Sequence, residues 1–518
     1  MLSVELDGSS LDLEKVVQVA RHNAPVSISQ AALEKTLRGR KAFELLLSGK
    51  DVIYGVNTGF GALSDRAINR EELESLQTNL IRSHASSVGP AHPQDVVRAM
   101  MLLRANTLLK GNSGVRPEIP DTILSLLNNR VHPFIPEKGS VGASGDLSPL
   151  SHMALVLIGE GKAEHDGQWL SGARALEVAR CKPLVLGAKE GLALNNGTQQ
   201  MLAIGTLVLF DAYSVLKSAE AALALSLEAI HGWTDAFDKR IHEVRPHRGQ
   251  GIVAADVSSL LHNSGMVRSV TTSHDFVGRP QDPYSFRCAP QVMGAVMDVF
   301  DFAKHTLETE MNSATDNPLV FPTDRLCLSG GNFHGQPISM AMDFLSLALS
   351  TLSNIAERRI AALLDPSLSN GLPSFLVGRG SHPGLSSGLM AVQYTATALV
   401  AENKILTHPA SSDSIPTSNN FEDFVSMGPG AALKAARIPE NAEYVIAIEL
   451  LTAAQGIDLR GDKKMGEGTG KVYRLIRDHV ETLTQDRSSH EDIEKIRNIV
   501  KQGSVADLVS RELSRIGE

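Results

Sequence analysis

The sequence predicts a mainly α-helical protein with a long central helical bundle and a loop-rich N-terminal portion. Three observations point there. Residues 201–230 contain no proline, one glycine (Gly205) and only isolated charges. Similar apolar segments recur at 290–312, 337–364, 385–406 and 441–459. Residues 51–66 and 131–150, by contrast, are rich in Gly, Pro, Ser and Asn, lack a period and read as loops between helices. Helices apolar over much of their circumference need cover on several sides, more than one chain supplies. The bundle is therefore expected to continue across subunit interfaces, the alternative being a self-contained bundle with a polar jacket.

From the N-terminus, residues 2–6 alternate as a short strand does, and Gly8-Ser9-Ser10 turns the chain. Ser29 is placed to cap a helix running through Leu47, with Ala, Leu and Phe at helical spacing. In 201–230, Asp211, Lys217, Glu220 and Glu228 interrupt every window of ~20 residues that a bilayer span needs. That segment reads as buried helix, and no membrane is expected. From Asp462 the chain is charged and amphipathic, as a peripheral helical layer would be. A length of 518 residues suggests roughly three domains. They are 1–200, with the active-site loops, 201–461, the long-helix bundle, and 462–518, the peripheral helices. Long helical folds can also run on as one continuous domain.

A hydrophobic share of 42% and a charged share of 21% are those of a globular protein, and a chain this long can bury about three quarters of its extended surface. The net charge is −9, and the 49 Lys and Arg are scattered among 58 acidic residues without a basic run. No nucleic-acid partner is expected. Cys181, Cys288 and Cys327 form an odd, widely spaced set, which argues against a disulfide framework and a zinc site. Acidic residues stand near the N-terminus where a signal peptide would need basic and then apolar ones. The cytoplasm is the expected compartment.

Residues 139–152 read Gly-Ser-Val-Gly-Ala-Ser-Gly-Asp-Leu-Ser-Pro-Leu-Ser-His. Gly142, Ala143 and Gly145 are small, Asp146 is a good N-cap, and Pro149 suits a first helical turn. A tight turn entering a helix accounts for that composition. A serine hydrolase with Ser144 as nucleophile would need Gly-x-Ser-x-Gly between a strand and a helix. Here the second glycine comes one position early, and Pro-Phe-Ile-Pro at 133–136 is too broken for a strand. A third reading uses the backbone. With no side chain on Gly145, its nitrogen can approach the carbonyl carbon of Ala143. Ring closure and dehydration of Ser144, with loss of two waters, would give a five-membered ring bearing an exocyclic methylidene.

This stretch closely resembles the active-site signature of the aromatic amino acid ammonia-lyases and aminomutases, whose electrophile is 4-methylidene-imidazol-5-one. The resemblance extends over nearly the whole chain, in blocks that keep their order. It implies that Ala143, Ser144 and Gly145 form the electrophile, with no metal and no soluble cofactor. It also implies a homotetramer with sites shared between subunits. Reactivity explains the need for such a group. Eliminating ammonia requires removing a weakly acidic β-proton and expelling a poor leaving group. General acid–base catalysis supplies ~10²–10⁴-fold, and none of the twenty side chains is an electrophile. Attack by the substrate amine on the methylidene carbon would make it leave more readily.

The other blocks supply companions. In Tyr-Gly-Val-Asn-Thr-Gly-Phe-Gly (54–61), Tyr54 matches the base that takes the β-proton. A phenol near its ordinary pKa of ~10 is a poor base at neutral pH, so its pKa must be lowered or its proton relayed. Asn196, before Gly197, matches the asparagine that contacts electrophile and substrate; an Asn-Gly turn is the plain reading. In 281–287, Arg287 offers a planar fork to the substrate carboxylate, with Gln281 and Tyr284 around the reacting amine and ring. Asn317 matches a carboxylate contact, and Phe333 is expected beside the electrophile, although helix-ending turns would explain both blocks. His242 and His247 are five apart with Pro246 between them, not four apart as on a zinc-binding helix face. Residues 245–250 read as a solvated loop.

Two positions bear on the amino acid. Ser83-His84 stands where tyrosine-specific relatives often carry His-Leu and phenylalanine-specific ones Phe-Leu, and an imidazole at 84 can exchange hydrogen bonds with a substrate imidazole. Glu422 stands where histidine-specific relatives place a glutamate and many others a glutamine. A carboxylate can pair with a partly protonated imidazole, and burying it unpaired is costly. Together they favour L-histidine, converted to trans-urocanate and ammonia, which places the resemblance nearest the histidine ammonia-lyases. The histidine branch commonly continues Glu-Asp-His, whereas here Phe424 follows Glu422-Asp423 and Phe421 precedes it. The two rings are expected to make the acid's surroundings more apolar. On the same scaffold the alternatives are a 2,3-aminomutase and a tyrosine or phenylalanine ammonia-lyase. Outside it they are a serine hydrolase and a non-catalytic helical assembly protein.

Overall fold

The computed structural model describes residues 3–49, 52–271, 279–461 and 464–516. Leu2, Asp51 and Asp462, at which expected elements began, lie outside them. Ser29 does cap a helix, Gln30–Ser48, its Oγ accepting from Ala32 N at 3.2 Å. The five apolar segments become the helices Gln199–Ala229, Ala289–Met311, Gln336–Leu364, Met390–Leu406 and Ile438–Arg460. The fourth starts later than its composition suggests. Gly388 holds φ +55, and a Cβ on it would lie 2.5 Å from the Phe375 carbonyl oxygen, so the chain turns there before it coils.

Strands are short. Val4–Leu6 runs parallel to Val26–Ile28, and Leu319–Phe321 pairs antiparallel with Leu326–Leu328. Residues 131–150 are not all loop, as expected above: Pro136–Lys138 pairs antiparallel with Val88–Ala91, and a helix begins at Leu147. A strand therefore does precede Ser144, but it ends at Lys138 and makes no direct strand–turn–helix junction. Residues 245–250 also depart from expectation, since the helix Arg248–Leu260 begins within them and buries Gln250.

The chain forms two compact units, each assembled from three stretches, which cut across the consecutive segments read from the sequence. The first comprises Met1–Phe210, Ala303–Asp343 and Pro409–Ala436; the second comprises Asp211–Phe302, Phe344–His408 and Arg437–Glu518. In the first, the buried helix Gln94–Leu108 carries Arg104. Its guanidinium donates to Gln199 Oε1 at 3.0 Å, to Thr315 O at 3.1 Å and to Ala193 O, so one buried cation ties together distant stretches of chain that its own burial obliges to be satisfied. In the second, Ile438–Arg460 is buried along most of its length, and its Glu449 meets Arg359 at 2.5 and 2.7 Å with both side chains inaccessible. The C-terminal helices Glu467–His479 and His490–Lys501 each bury one apolar stripe, Val472 and Ile476 on the first, Ile493, Ile496 and Val500 on the second.

Candidate active site

Close backbone contacts shape the segment that carries Ala143, Ser144 and Gly145. Gly142 and Gly145 hold φ of +72 and +71, and a Cβ on Gly145 would lie 2.2 Å from the Gly197 carbonyl oxygen. The backbone at Gly145 bridges to both Ala143 and Gly197, and Asp146 N donates to Gly197 O at 2.6 Å. Ser140 Oγ donates to the Gly145 carbonyl at 3.2 Å and accepts from Gly142 N at 3.1 Å. The three residues are thus folded into a tight turn pressed against 197.

Asp146 sits at the N-cap position of Leu147–Leu157, yet its side chain does not cap that helix. It accepts instead from Gln200 N at 2.8 Å and Met201 N at 3.0 Å, in the first turn of Gln199–Ala229, where the helix dipole favours a carboxylate. Burial pushes Asp146 up to about 7 against those two bonds, and the neighbouring Glu310 adds to the rise.

Asn196 Nδ2 donates to the Ser144 carbonyl oxygen at 3.0 Å, while Asn195 turns to Ser151 Oγ, also at 3.0 Å. Ser144 Oγ donates to Glu422 Oε1 at 3.5 Å, and Thr417 Oγ1 holds Glu422 Oε2 at 2.8 Å. The charge of Glu422 also acts on Tyr54 and on His84. Tyr54 OH accepts from Gly61 N at 3.0 Å. Burial raises the Tyr54 pKa above the ordinary phenol value, the Gly61 bond opposes the rise, and Glu422 adds to it. The lowered phenol that a base would need is therefore not what this chain's surroundings produce. His84 ends the helix Leu73–His84 with Nδ1 2.9 Å from the Leu80 carbonyl. That oxygen can only accept, so Nδ1 carries the proton and Nε2 is an acceptor in the neutral ring. Burial lowers the His84 pKa, more than Leu80 and Glu422 raise it.

Asn317 Oδ1 accepts from Gly330 N at 2.8 Å, joining the two blocks that contain them. Phe333 lies half-buried just before Gln336–Leu364. Nearby, a Cβ on Gly335 would come 3.3 Å from Ser426 Oγ, which itself donates to Gly142 O at 3.3 Å. Tyr54, His84, Ser144, Asn196 and Glu422 are thus gathered in the first unit, and Asn317 and Phe333 belong to it as well. Gln281, Tyr284 and Arg287 belong to the second. There the Arg287 guanidinium lies 4.3 Å over the Tyr284 ring, its Nε donates to Asp282 O at 3.1 Å, and Tyr284 is 70% exposed.

Within this chain Phe421 and Phe424 do not pack around the acid. They are 59% and 61% exposed in the chain, and Phe424 stacks on His334 with ring centroids 6.1 Å apart. Thr417 pairs antiparallel with Glu422 across a tight turn beside them. Thr417 and Ser426 stand in no motif read above. The one hint of Thr417's role is the Asn419-Asn420 pair after it, a residue type that tolerates left-handed conformations.

The family model for aromatic amino acid lyases matches residues 11–478. A histidine ammonia-lyase from Treponema denticola is 49% identical over 506 residues, covering 98% of each chain. A tyrosine aminomutase from Streptomyces globisporus has a similar structure, with a TM-score of 0.93 at 40% identity over 99% of each chain. A histidine ammonia-lyase from Trypanosoma cruzi gives 0.90 at 41% identity, over 99% of this chain and 96% of that one.

Proposed function

The chain belongs to the aromatic amino acid lyase family and is a carbon–nitrogen lyase, and from that premise we propose that it eliminates ammonia from L-histidine to give trans-urocanate. The observation that carries this reading is the position of Glu422, one carboxylate within reach of Ser144 whose field acts on both His84 and Tyr54. A protonated imidazole substrate, with two N–H donors, can use both acceptors, His84 Nε2 and Glu422 Oε1; a phenyl ring can use neither.

Ala143-Ser144-Gly145 fits the methylidene-imidazolone of this family, because the turn at Gly145 excludes a side chain and Asn196 addresses the Ser144 carbonyl. Once formed, the ring supplies an electrophile that activates the amine as a leaving group. The remaining residues act on the substrate. Asn196 Nδ2 polarises the Ser144 carbonyl, a donor fixed in advance of the charge it stabilises. Tyr54 takes the β-proton as a phenolate, a state that the Gly61 N–H favours and that burial and Glu422 oppose, so its own proton is first relayed away. Arg287 anchors the carboxylate, with Gln281 and Tyr284 beside it and Asn317 and Phe333 completing the site, in a homotetramer whose sites are shared between subunits. Exposed apolar residues on long helices support that assembly: Phe344 and Leu347 on Gln336–Leu364, Tyr394 and Ile405 on Met390–Leu406. Among the described residues two helices are long and apolar enough to cross a membrane, Gln199–Ala229 and Gln336–Leu364, and each has 72% of its most apolar window buried, which supports a soluble enzyme; the cytoplasm is the compartment proposed for it.

Intact mass and product identity test the proposal. The mature chain should be two waters lighter than encoded, and Ser144→Ala should regain that mass and lose turnover. A serine hydrolase or an assembly protein would show the full mass. L-Histidine, L-tyrosine and L-phenylalanine are then offered separately, with urocanate expected from the first. A second reading, the 2,3-aminomutase, is supported by the similarity to tyrosine aminomutase, and a β-amino acid among the products would favour it. Inert histidine overturns the substrate assignment.

A further inference from the structure

Thr417 and Ser418 are neighbours whose hydroxyls serve two different loops. Thr417 Oγ1 donates to Glu422 Oε2 at 2.8 Å. Ser418 Oγ accepts from Ala62 N at 3.2 Å. Backbone bonds between 417 and 422 in both directions, 3.0 and 3.3 Å, close the turn, and Ser418, Asn419 and Asn420 cross it with φ of 52, 53 and 63. Three successive left-handed residues are seldom adopted unless the surroundings impose them. On the other side, Ala62 follows Gly61, whose N–H holds the Tyr54 hydroxyl at 3.0 Å. A Cβ on Gly61 would lie 2.5 Å from Ser418 Oγ, so the two loops are in close contact.

We propose that Thr417 is a positioning residue: its hydroxyl holds Oε2 of Glu422 so that Oε1 alone faces Ser144 and the substrate, in register with the Tyr54 loop that Ser418 anchors. The terminal torsion of a glutamate is broad and roughly two-fold, so an untethered carboxylate samples many orientations and spends less time in the one that orients the substrate imidazole for reaction. The proposal rests on Glu422 serving the reaction as read above.

Two variants of the full-length enzyme separate the hydroxyl from the methyl. Thr417→Val keeps the shape and removes the donor; Thr417→Ser keeps the donor and removes the methyl. Each is assayed for kcat and KM on L-histidine after intact mass has confirmed the loss of two waters. Losing a hydrogen bond to a charged group should lower kcat/KM by about ten- to hundredfold in Thr417→Val, most of it in kcat because the misdirected acid still binds. Thr417→Ser should stay within about threefold of the unaltered enzyme. The proposal is overturned if Thr417→Val stays that close, if Thr417→Ser falls as far as Thr417→Val, or if Thr417→Val fails to fold or to lose the two waters, since the hydroxyl would then be structural. If the unaltered enzyme ignores histidine but turns over another aromatic amino acid, the substrate reading fails, and the same comparison on that substrate still decides the role of Thr417. Inertness towards all three overturns both.

Discussion

The carbonyl oxygen of Gly197 stands where a side chain on Gly145 would begin, 2.2 Å from an ideal Cβ, and Gly145 itself holds φ +71. The steric contact leaves no room for a side chain, and the backbone conformation disfavours any residue but glycine. Gly145→Ala should therefore be destabilised by about 1–3 kcal/mol and should not form the ring. Intact mass at the full encoded value and a lowered melting temperature are expected; an alanine chain still lacking two waters would contradict this account.

The adjacent asparagines should separate cleanly. Asn196→Ala removes the donor to the Ser144 carbonyl and should lower kcat by about a hundredfold, as loss of one preorganised donor does. Asn195→Ala removes a bond to Ser151 and should cost about 1 kcal/mol of stability while the folded enzyme keeps its turnover. Parallel steady-state kinetics and thermal unfolding decide between them.

Specificity should turn on the charge at 422. Glu422→Gln keeps an acceptor and a similar volume but removes the anion near His84 and Tyr54. kcat/KM for L-histidine should fall by about ten- to hundredfold, while that for L-tyrosine or L-phenylalanine holds or rises. A uniform loss on every substrate would show that the carboxylate does not read the imidazole.

Stability should depend on pH through Asp146. Burial lifts this carboxyl from 3.8 to about 7, so between those values the folded state binds more protons than the unfolded one, and stability falls as pH rises. The contribution is full below the unfolded pKa and is lost once pH passes the folded one. Asp146→Asn lacks this titration while its amide oxygen can still accept from Gln200 and Met201. The melting temperature of Asp146→Asn minus that of the unaltered chain should therefore grow from about pH 4 to about pH 8. A difference that shrinks over this range would refute the assignment.

The sequence by itself determined the helices and the chemistry of one short segment. Long apolar runs with proline at most at their first residue can only be buried helices here, and the Gly-Ala-Ser-Gly-Asp stretch is contiguous, so its ring-forming capacity is written in neighbouring residues. Only the tertiary structure decided that Asp146 caps the helix at 199 rather than the one it precedes, that Phe421 and Phe424 are exposed within the chain, and that Thr417 grips Glu422. The reason is physical. Periodicity records which face of an element is buried, a local property. The partners of 144, 146 and 422 come from positions up to 278 residues away, and their hydrogen bonds are chosen by backbone geometry that forms only when those stretches pack together.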